Sequence, residues 1–440
     1  MKPFTALLPL AFLAVSATCL GASWPGFRGA DGSGVSLESG LPSTWSESEN
    51  LKWKLALPGR GNSSPVVTLK RVYLTSQTED GGLWTFAVDK QNGKLIWKTQ
   101  LTEGSLAATG EESLYAHRHN PATSTMAASE SRVWAFFGTG KLFCLNPKGK
   151  IIWQRDLVQD YGSYDIAFGM ASSPRLWKGS IYINCITKNT SYVVALSAQD
   201  GKTQWKTERS YEADRDGADA YSTPAIWKQG NREQILVAGA DHLDAYDPKS
   251  GERLWYAGGF KIKSPYGRII ASPAVSESII VQCAGNPGGG GLGRAIAFRA
   301  NGANRADGQG QVTQSARLWS IERTAPDAAT PVIYGDLVYL VRANGVTLCV
   351  DPATGKKHWE ERTAQGDNFA STVAGDNKVY ILNTSGTCTV LEAGATFKKL
   401  AENKLPGTFY ATPAISDGAL FLRSESVLYA IENASTTVQQ

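Results

Sequence analysis

Histidine and methionine are scarce in this sequence, with four and three residues among 440, and charged residues make up only 19%. So few histidines leave little from which to build a nitrogen-ligated metal centre. The formal net charge is +4, with both signs mixed along the chain. That excess is too small to hold a nucleic acid. There is no CxxC and no adjacent cysteine pair, which argues against a zinc site and against a disulfide framework. Cys144, Cys185, Cys283, Cys349 and Cys388 each lie in an apolar, strand-like segment and read as buried free thiols. Beyond the N-terminus no apolar run approaches the roughly 18 residues of a membrane span.

The one long apolar run, Phe4 to Val15, follows Lys2 and leads into small residues up to Ala22. Residues 1–22 therefore read as a secretory signal peptide, and the protein as exported, either periplasmic or secreted. Cys19 offers a lipid-anchored alternative, against which Thr18 stands where glycine or alanine is usual.

What the sequence has in abundance is glycine, at 45 residues, and tryptophan, at 13. Many glycines among aromatic and β-branched residues point to short strands joined by tight turns. Their spacing is periodic. Glycine is followed four residues later by tryptophan at Gly93/Trp97, Gly149/Trp153, Gly201/Trp205, Gly251/Trp255 and Gly355/Trp359. Ahead of each glycine stands a small, an apolar and a polar residue: Ala87-Val88-Asp89, Cys144-Leu145-Asn146, Ala195-Leu196-Ser197, Ala245-Tyr246-Asp247 and Cys349-Val350-Asp351. Weaker copies at Ala297, Val390 and Ala430 bring the column to eight. Asp-Pro-Lys-Ser-Gly at 247–251 is turn chemistry, with Pro248 fixing φ and Gly251 supplying a positive φ.

A second signature of two small residues, usually followed by proline, opens an apolar strand at Ser64, Ser173, Thr223, Ser272, Thr330 and Thr412, with degenerate versions at Thr125 and Thr372. Between the two signatures runs a strand of the type Val72-Tyr73-Leu74. Four strands per unit, repeated eight times, are propeller blades. The expectation is an all-β, eight-bladed β-propeller of four-stranded antiparallel blades, with the small-residue strand innermost and the tryptophan strand outermost. The eighth unit lacks a tryptophan strand, and the chain opens with an orphan one at residues 50–55. That N-terminal strand is expected to complete the last blade and to cover its edge. The propeller is thus placed at 47–434, preceded by an extension at 23–46 that lies over it and followed by a disordered tail at 435–440. Phe397 is taken to stand near the tryptophan position of unit seven, and Trp319 follows a polar insertion at 300–315.

The A-x-D-x-x-T-G-K-x-x-W pattern, nearly complete in residues 87–97 and 349–359, resembles the pyrroloquinoline quinone (PQQ)-type repeat, over about residues 47–432. Trp24-Pro-x-Phe-Arg-Gly resembles the opening of secreted BamB-like proteins. The resemblance implies an eight-bladed propeller and one of two functions. One is a non-enzymatic assembly factor like BamB. The other is a PQQ-dependent alcohol or sugar dehydrogenase, which needs PQQ with Ca²⁺ on oxygen ligands and a carboxylate base. The alcohol-oxidising members carry adjacent cysteines and longer loops over the ring, and this chain has neither.

Polar and aromatic residues cluster just ahead of several inner strands: Arg60 and Asn62; His117, Arg118, His119 and Asn120; Tyr164 and Asp165; Asp219 and Tyr221; Tyr266 and Arg268; Asp327; Asn368; Phe409 and Tyr410. Equivalent positions in a ring converge on its axis, so these residues would form a mixed-charge funnel at one mouth of the channel. That funnel reads as a binding surface for a peptide or small ligand, or else as ordinary loop chemistry around a water-filled channel. His117 and His119 lack a third ligand, so no metal is expected, and His242 and His358 read as structural or exposed. The glycine run 285–293 lacks the Lys-Ser/Thr of a phosphate loop and reads as a hairpin. The reading is an envelope scaffold that binds proteins or peptides, monomeric, with no cofactor and no transmembrane segment; the alternative is a quinoprotein oxidoreductase.

Overall fold

The computed structural model describes residues 23–106, 118–286, 293–300, 310–323, 326–363 and 365–434. The expected signal peptide, His117, the tail at 435–440 and most of the glycine run lie outside these residues; Gly285 and Gly293 face each other where the flanking strands end. Eight four-stranded antiparallel sheets follow one another along the chain as blades 1 to 8, with blade 3 at residues 175–208, blade 6 at 332–362 and blade 7 at 373–404. Blade 1, for example, comprises Val66–Val67, Arg71–Gln77, Gly82–Asp89 and Leu95–Glu103 from the axis outwards. Blade 8 takes its three inner strands from residues 414–432 and its outer strand, Leu51–Ala56, from the N-terminus. The propeller closes as the sequence predicts.

The repeat has a packing logic. In seven blades the small residue of the A-x-D column faces a tryptophan across the outer strand pair: Ala87 opposite Trp97, Cys144 opposite Trp153, Ala195 opposite Trp205, Ala245 opposite Trp255, Ala297 opposite Trp319, Cys349 opposite Trp359 and Ala430 opposite Trp53. On its other side the same small residue often faces a tyrosine, as Ala87 faces Tyr73. Two rings therefore meet over one small side chain. The Tyr73–Trp97, Tyr182–Trp205 and Tyr339–Trp359 centroids lie 6.1, 5.9 and 6.0 Å apart. Blade 7 confirms the rule by its exception. Its position is Ala401, not an aromatic, and the facing residue grows to Val390. The sequence placed Phe397 near this position, but Phe397 precedes the strand and packs edge-on to Trp359 of blade 6.

Five of these seven tryptophans also bond to the next blade. Indole N–H groups of Trp53, Trp97, Trp205, Trp319 and Trp359 donate to the turn carbonyls of Lys90, Pro147, Pro248, Pro352 and Gly394. The turn glycine lies flat against the indole. A Cβ on Gly201, whose φ is +73°, would stand 2.7 Å from Trp153. The polar residue of the column caps the turn. The Asp247 carboxylate accepts from the backbone N–H groups of Lys249 and Ser250, both at 2.8 Å. Two depart from the pattern: the Trp153 N–H is buried without a partner, and the Trp255 N–H stays within its own blade on Gln234.

The axis carries a closed ring. The backbone N–H of Ser64 donates to the Thr125 hydroxyl, Thr125 to Ser173, Ser173 to Thr223, Thr223 to Ser272, Ser272 to Thr330, Thr330 to Ser371, Ser371 to Thr412, and Thr412 back to Ser64. All eight bonds measure 2.8–3.1 Å. Serine and threonine alternate strictly around it. The degenerate signature of blade 7 contributes Ser371, one residue before Thr372. An innermost strand has no neighbouring strand towards the axis, and these buried N–H groups need an acceptor. The hydroxyl of the following blade supplies it.

The N-terminal extension does more than lie over the propeller. Residues 24–36 cross the axis just past the hydroxyl ring and plug the channel. Trp24 exchanges backbone bonds with Val67, the Pro25 carbonyl accepts from Ala128, Asp31 from Ile226 and Gly34 from Ala374. The Arg28 guanidinium, fully buried, donates to the carbonyls of Thr330, Pro331 and Thr372. Arg175 comes from the opposite side, onto the carbonyls of Phe27, Gly29 and Pro224. Gly34 is demanded at this crossing: φ is +77°, and a Cβ would lie 2.6 Å from the Arg28 guanidinium carbon. Arg423 clamps blade 8 to blade 1, on the carbonyls of Ser63 and Thr75 and the Ser76 hydroxyl.

Two substitutions check this architecture. Thr412→Val keeps the shape and removes one acceptor from the ring, leaving the Ser371 N–H buried and unpaired, and should cost about 1–3 kcal/mol in denaturant unfolding. Gly201→Ala combines positive φ with the clash on Trp153 and should cost about 1–3 kcal/mol. A wild-type unfolding midpoint in either variant would contradict the role given to that residue.

Candidate functional site

With one end plugged, the channel becomes a blind funnel of about 1010 Å³, entered from the side on which the inner strands begin. All eight ring hydroxyls line it, and Phe27 of the plug reaches its floor. Of the residues singled out from sequence, the funnel wall gathers Asn62, Arg118, His119, Tyr221, Tyr266, Arg268, Asp327 and Tyr410.

The others lie apart from the cavity lining. Arg60 forms an ion pair with Glu425 at 3.3 Å, and its carbonyl accepts from the Asn120 amide. Tyr164 packs into blade 3, where its hydroxyl meets Cys185 and Tyr192 at 3.3 and 3.4 Å. Asp165 is exposed. Asp219 is buried behind the wall and accepts from the Ala167 N–H at 2.9 Å. Asn368 is buried with its amide on the Gly366 carbonyl. Phe409 is core and stacks on Tyr429. His242 stacks on Tyr211 at 3.8 Å between centroids. The five cysteines within the described residues are all free and buried.

One wall is chemically rich. Arg268 is held by Asp216 at 2.7 Å and lies over the Phe168 ring at 4.4 Å and the Tyr221 ring at 5.8 Å. The chain places Arg268 through a backbone bridge to Gly285, which has no Cβ because Asp327 crowds it: one would lie 2.7 Å from the Asp327 Cα. Opposite, Arg118 lies 5.2 Å over Phe369, which packs on Tyr410. Four of the lining residues each hold a buried polar atom with no hydrogen-bond partner, namely His119 Nε2, Arg268 Nε, Asn286 Oδ1 and Asp327 Oδ1, while the Tyr221 hydroxyl is set against the backbone N–H of Phe168. Native proteins leave few such atoms unpaired. Burial pushes the Asp327 carboxyl up to about 6 and pulls His119 down to about 4. Sequence reasoning missed Phe168, Asp216, Asn286 and Phe369, which flank the expected positions in loops whose course no repeat dictates.

Burial also pushes the Asp219 carboxyl up to about 6. A raised carboxyl favours the protonated form in the fold, so its stabilisation is complete below the ordinary carboxylate value and is lost as pH rises through about 6. Asp219→Asn keeps the acceptor for Ala167. It should raise stability at pH 7, on the order of 2 kcal/mol, and have little effect near pH 4. Unfolding midpoints at the two pH values test this, and a difference independent of pH would refute it.

Among the described residues no helix is long and apolar enough to cross a membrane. No curated protein matches the sequence. Solved structures match the fold. BamB from Moraxella catarrhalis is 13% identical, with 89% of this chain and 99% of that one covered and a TM-score of 0.61. The quinohemoprotein alcohol dehydrogenase from Comamonas testosteroni is 14% identical, with 95% and 82% covered and a TM-score of 0.63. A europium-containing methanol dehydrogenase is 11% identical, with 93% and 89% covered and a TM-score of 0.60. At these identities the likeness concerns the fold alone. In sequence, residues 35–218 and 185–440 match the family described as outer membrane protein assembly factor BamB, and the chain belongs to that family.

Proposed function

We propose that this protein is an exported cell-envelope scaffold that binds other proteins by taking a peptide segment into its funnel. The observation that carries this reading is the lining of the funnel, where charged and polar side chains, among them Arg118, Asp216, Arg268, Asn286 and Asp327, are interleaved with the rings of Phe168, Tyr221, Tyr266, Phe369 and Tyr410. Donors, acceptors and ring faces together suit a peptide, whose backbone offers both bond types and whose side chains offer apolar surface. The family description, an outer membrane assembly factor, agrees with a role among envelope proteins.

The quinoprotein reading is less well supported by the donor set. Ca²⁺ takes six to eight oxygen ligands, usually several carboxylates. The acidic side chains among the described lining residues are Asp216 and Asp327, and Asp216 is already bonded to Arg268. Among the described residues no three Asp, Glu, His or Cys side chains form a metal-ligand group. These residues do not fit a PQQ–Ca²⁺ pair.

Tyr266 is exposed at the funnel mouth, so Tyr266→Ala leaves the core intact. It should weaken capture of envelope proteins by the immobilised protein about tenfold, the effect of a contact worth about 1.4 kcal/mol. Titration with PQQ and Ca²⁺ should give no saturable absorbance change. Undiminished capture by the variant, or dye-linked alcohol oxidation on adding PQQ and Ca²⁺, would overturn the reading.

A further inference from the structure

The floor of the funnel has a definite electrostatic character. Each of the eight ring hydroxyls already accepts a backbone N–H, so its own proton remains for the channel. One residue below the ring lie the guanidinium groups of Arg28 and Arg175. Arg28 is bonded to the carbonyls of Gly32, Ser33, Thr330, Pro331 and Thr372. Arg175 is bonded to those of Phe27, Gly29, Ala30 and Pro224. Neither touches a carboxylate in these contacts, and both are almost fully buried. Asp31 is near enough to offset part of their charge, and the two guanidiniums are near enough to repel each other. The walls add Arg118, Lys263 and Arg268 against Asp216 and Asp327. The balance is positive from mouth to floor.

Shape adds a constraint. A through-channel accepts an internal stretch of chain, whereas a blind one accepts an end. Of the two ends of a polypeptide, the ammonium would meet the buried guanidiniums, and the carboxylate would meet hydroxyl donors backed by positive charge.

We propose that the floor of the funnel docks the C-terminal carboxylate of a partner polypeptide, held by the hydroxyl ring above Arg28 and Arg175. This rests on the funnel being the peptide-binding site and names which part of a peptide enters first. The last residues then lie along the Phe168, Arg268 and Tyr221 wall, where charged, polar and aromatic side chains meet the peptide. An acidic polysaccharide shares the negative charge but presents it along its length, with no single end to lead into a blind site.

The test passes a pool of random decapeptides, made once with free C-termini and once as C-terminal amides, over the immobilised full-length protein. The free-acid pool should be retained at least about tenfold more strongly, the effect of one charge-assisted contact, and less so as salt rises. Phe27 faces the floor, so Phe27→Asp sets a carboxylate there and should abolish the preference for the acid. Phe27→Leu loses the ring without adding charge and should keep the acid-to-amide ratio; thermal unfolding of both variants separates charge from misfolding. Equal retention of both pools would overturn this inference while leaving peptide binding in place. Retention of neither would overturn both readings. Retention of polygalacturonate in place of the free acids would overturn the inference in favour of an acidic polysaccharide.

Discussion

The structure depends on a circle of eight side-chain hydroxyls, each accepting the backbone N–H of the blade before it. Innermost strands crowd together at the axis, and their axial N–H groups have no neighbouring strand. Only a short side chain with one oxygen can satisfy such a donor without filling the channel. The ring therefore fixes both the spacing of the blades and the residue type at one position in each. Net, each bond contributes about 1 kcal/mol, but the arrangement closes only when every member is present, and its value lies in setting register as well as in energy.

The architecture was legible because it repeats. A small residue between two large rings, a turn cap and a glycine beneath an indole leave the same trace in almost every blade, and register across copies exposes them. The exceptions were legible only in part. Trp255 looks like every other tryptophan in sequence, yet it bonds to Gln234, and the segment around residues 310–312 lies along its own strand at Tyr256 and changes what surrounds it. Phe397 was assigned by distance along the chain. The true position, Ala401, is apolar but small, and its compensation at Val390 becomes visible only once the strands are paired.

The site was less legible, for a physical reason. A residue ahead of an inner strand is certain to lie near the axis, but whether it faces the funnel depends on the path of a loop. Arg268, Tyr221 and Asp327 turn inward, while Tyr164 turns into blade 3 and Asp219 lies behind the wall. The plug was hidden for a different reason. Trp24-Pro-x-Phe-Arg-Gly carries no periodicity, and nothing in its composition tells that an arginine will satisfy carbonyls of blades 6 and 7 across the axis. Two buried guanidiniums bonded to carbonyls invert the usual rule that burial selects against charge, and a rule of composition cannot anticipate its own exception.

The strand Leu51–Ala56 precedes every other strand of the propeller and pairs with its last, Val427–Glu432. Until Val427–Glu432 is made, the first seven blades stand in an open circle and Leu51–Ala56 has no strand to pair with. Contacts between the two ends of a chain form slowly, and an exposed edge strand meanwhile invites pairing with other chains. A chain cut short of Val427–Glu432 therefore leaves Leu51–Ala56 without its partner, and a free edge stands where the circle should close.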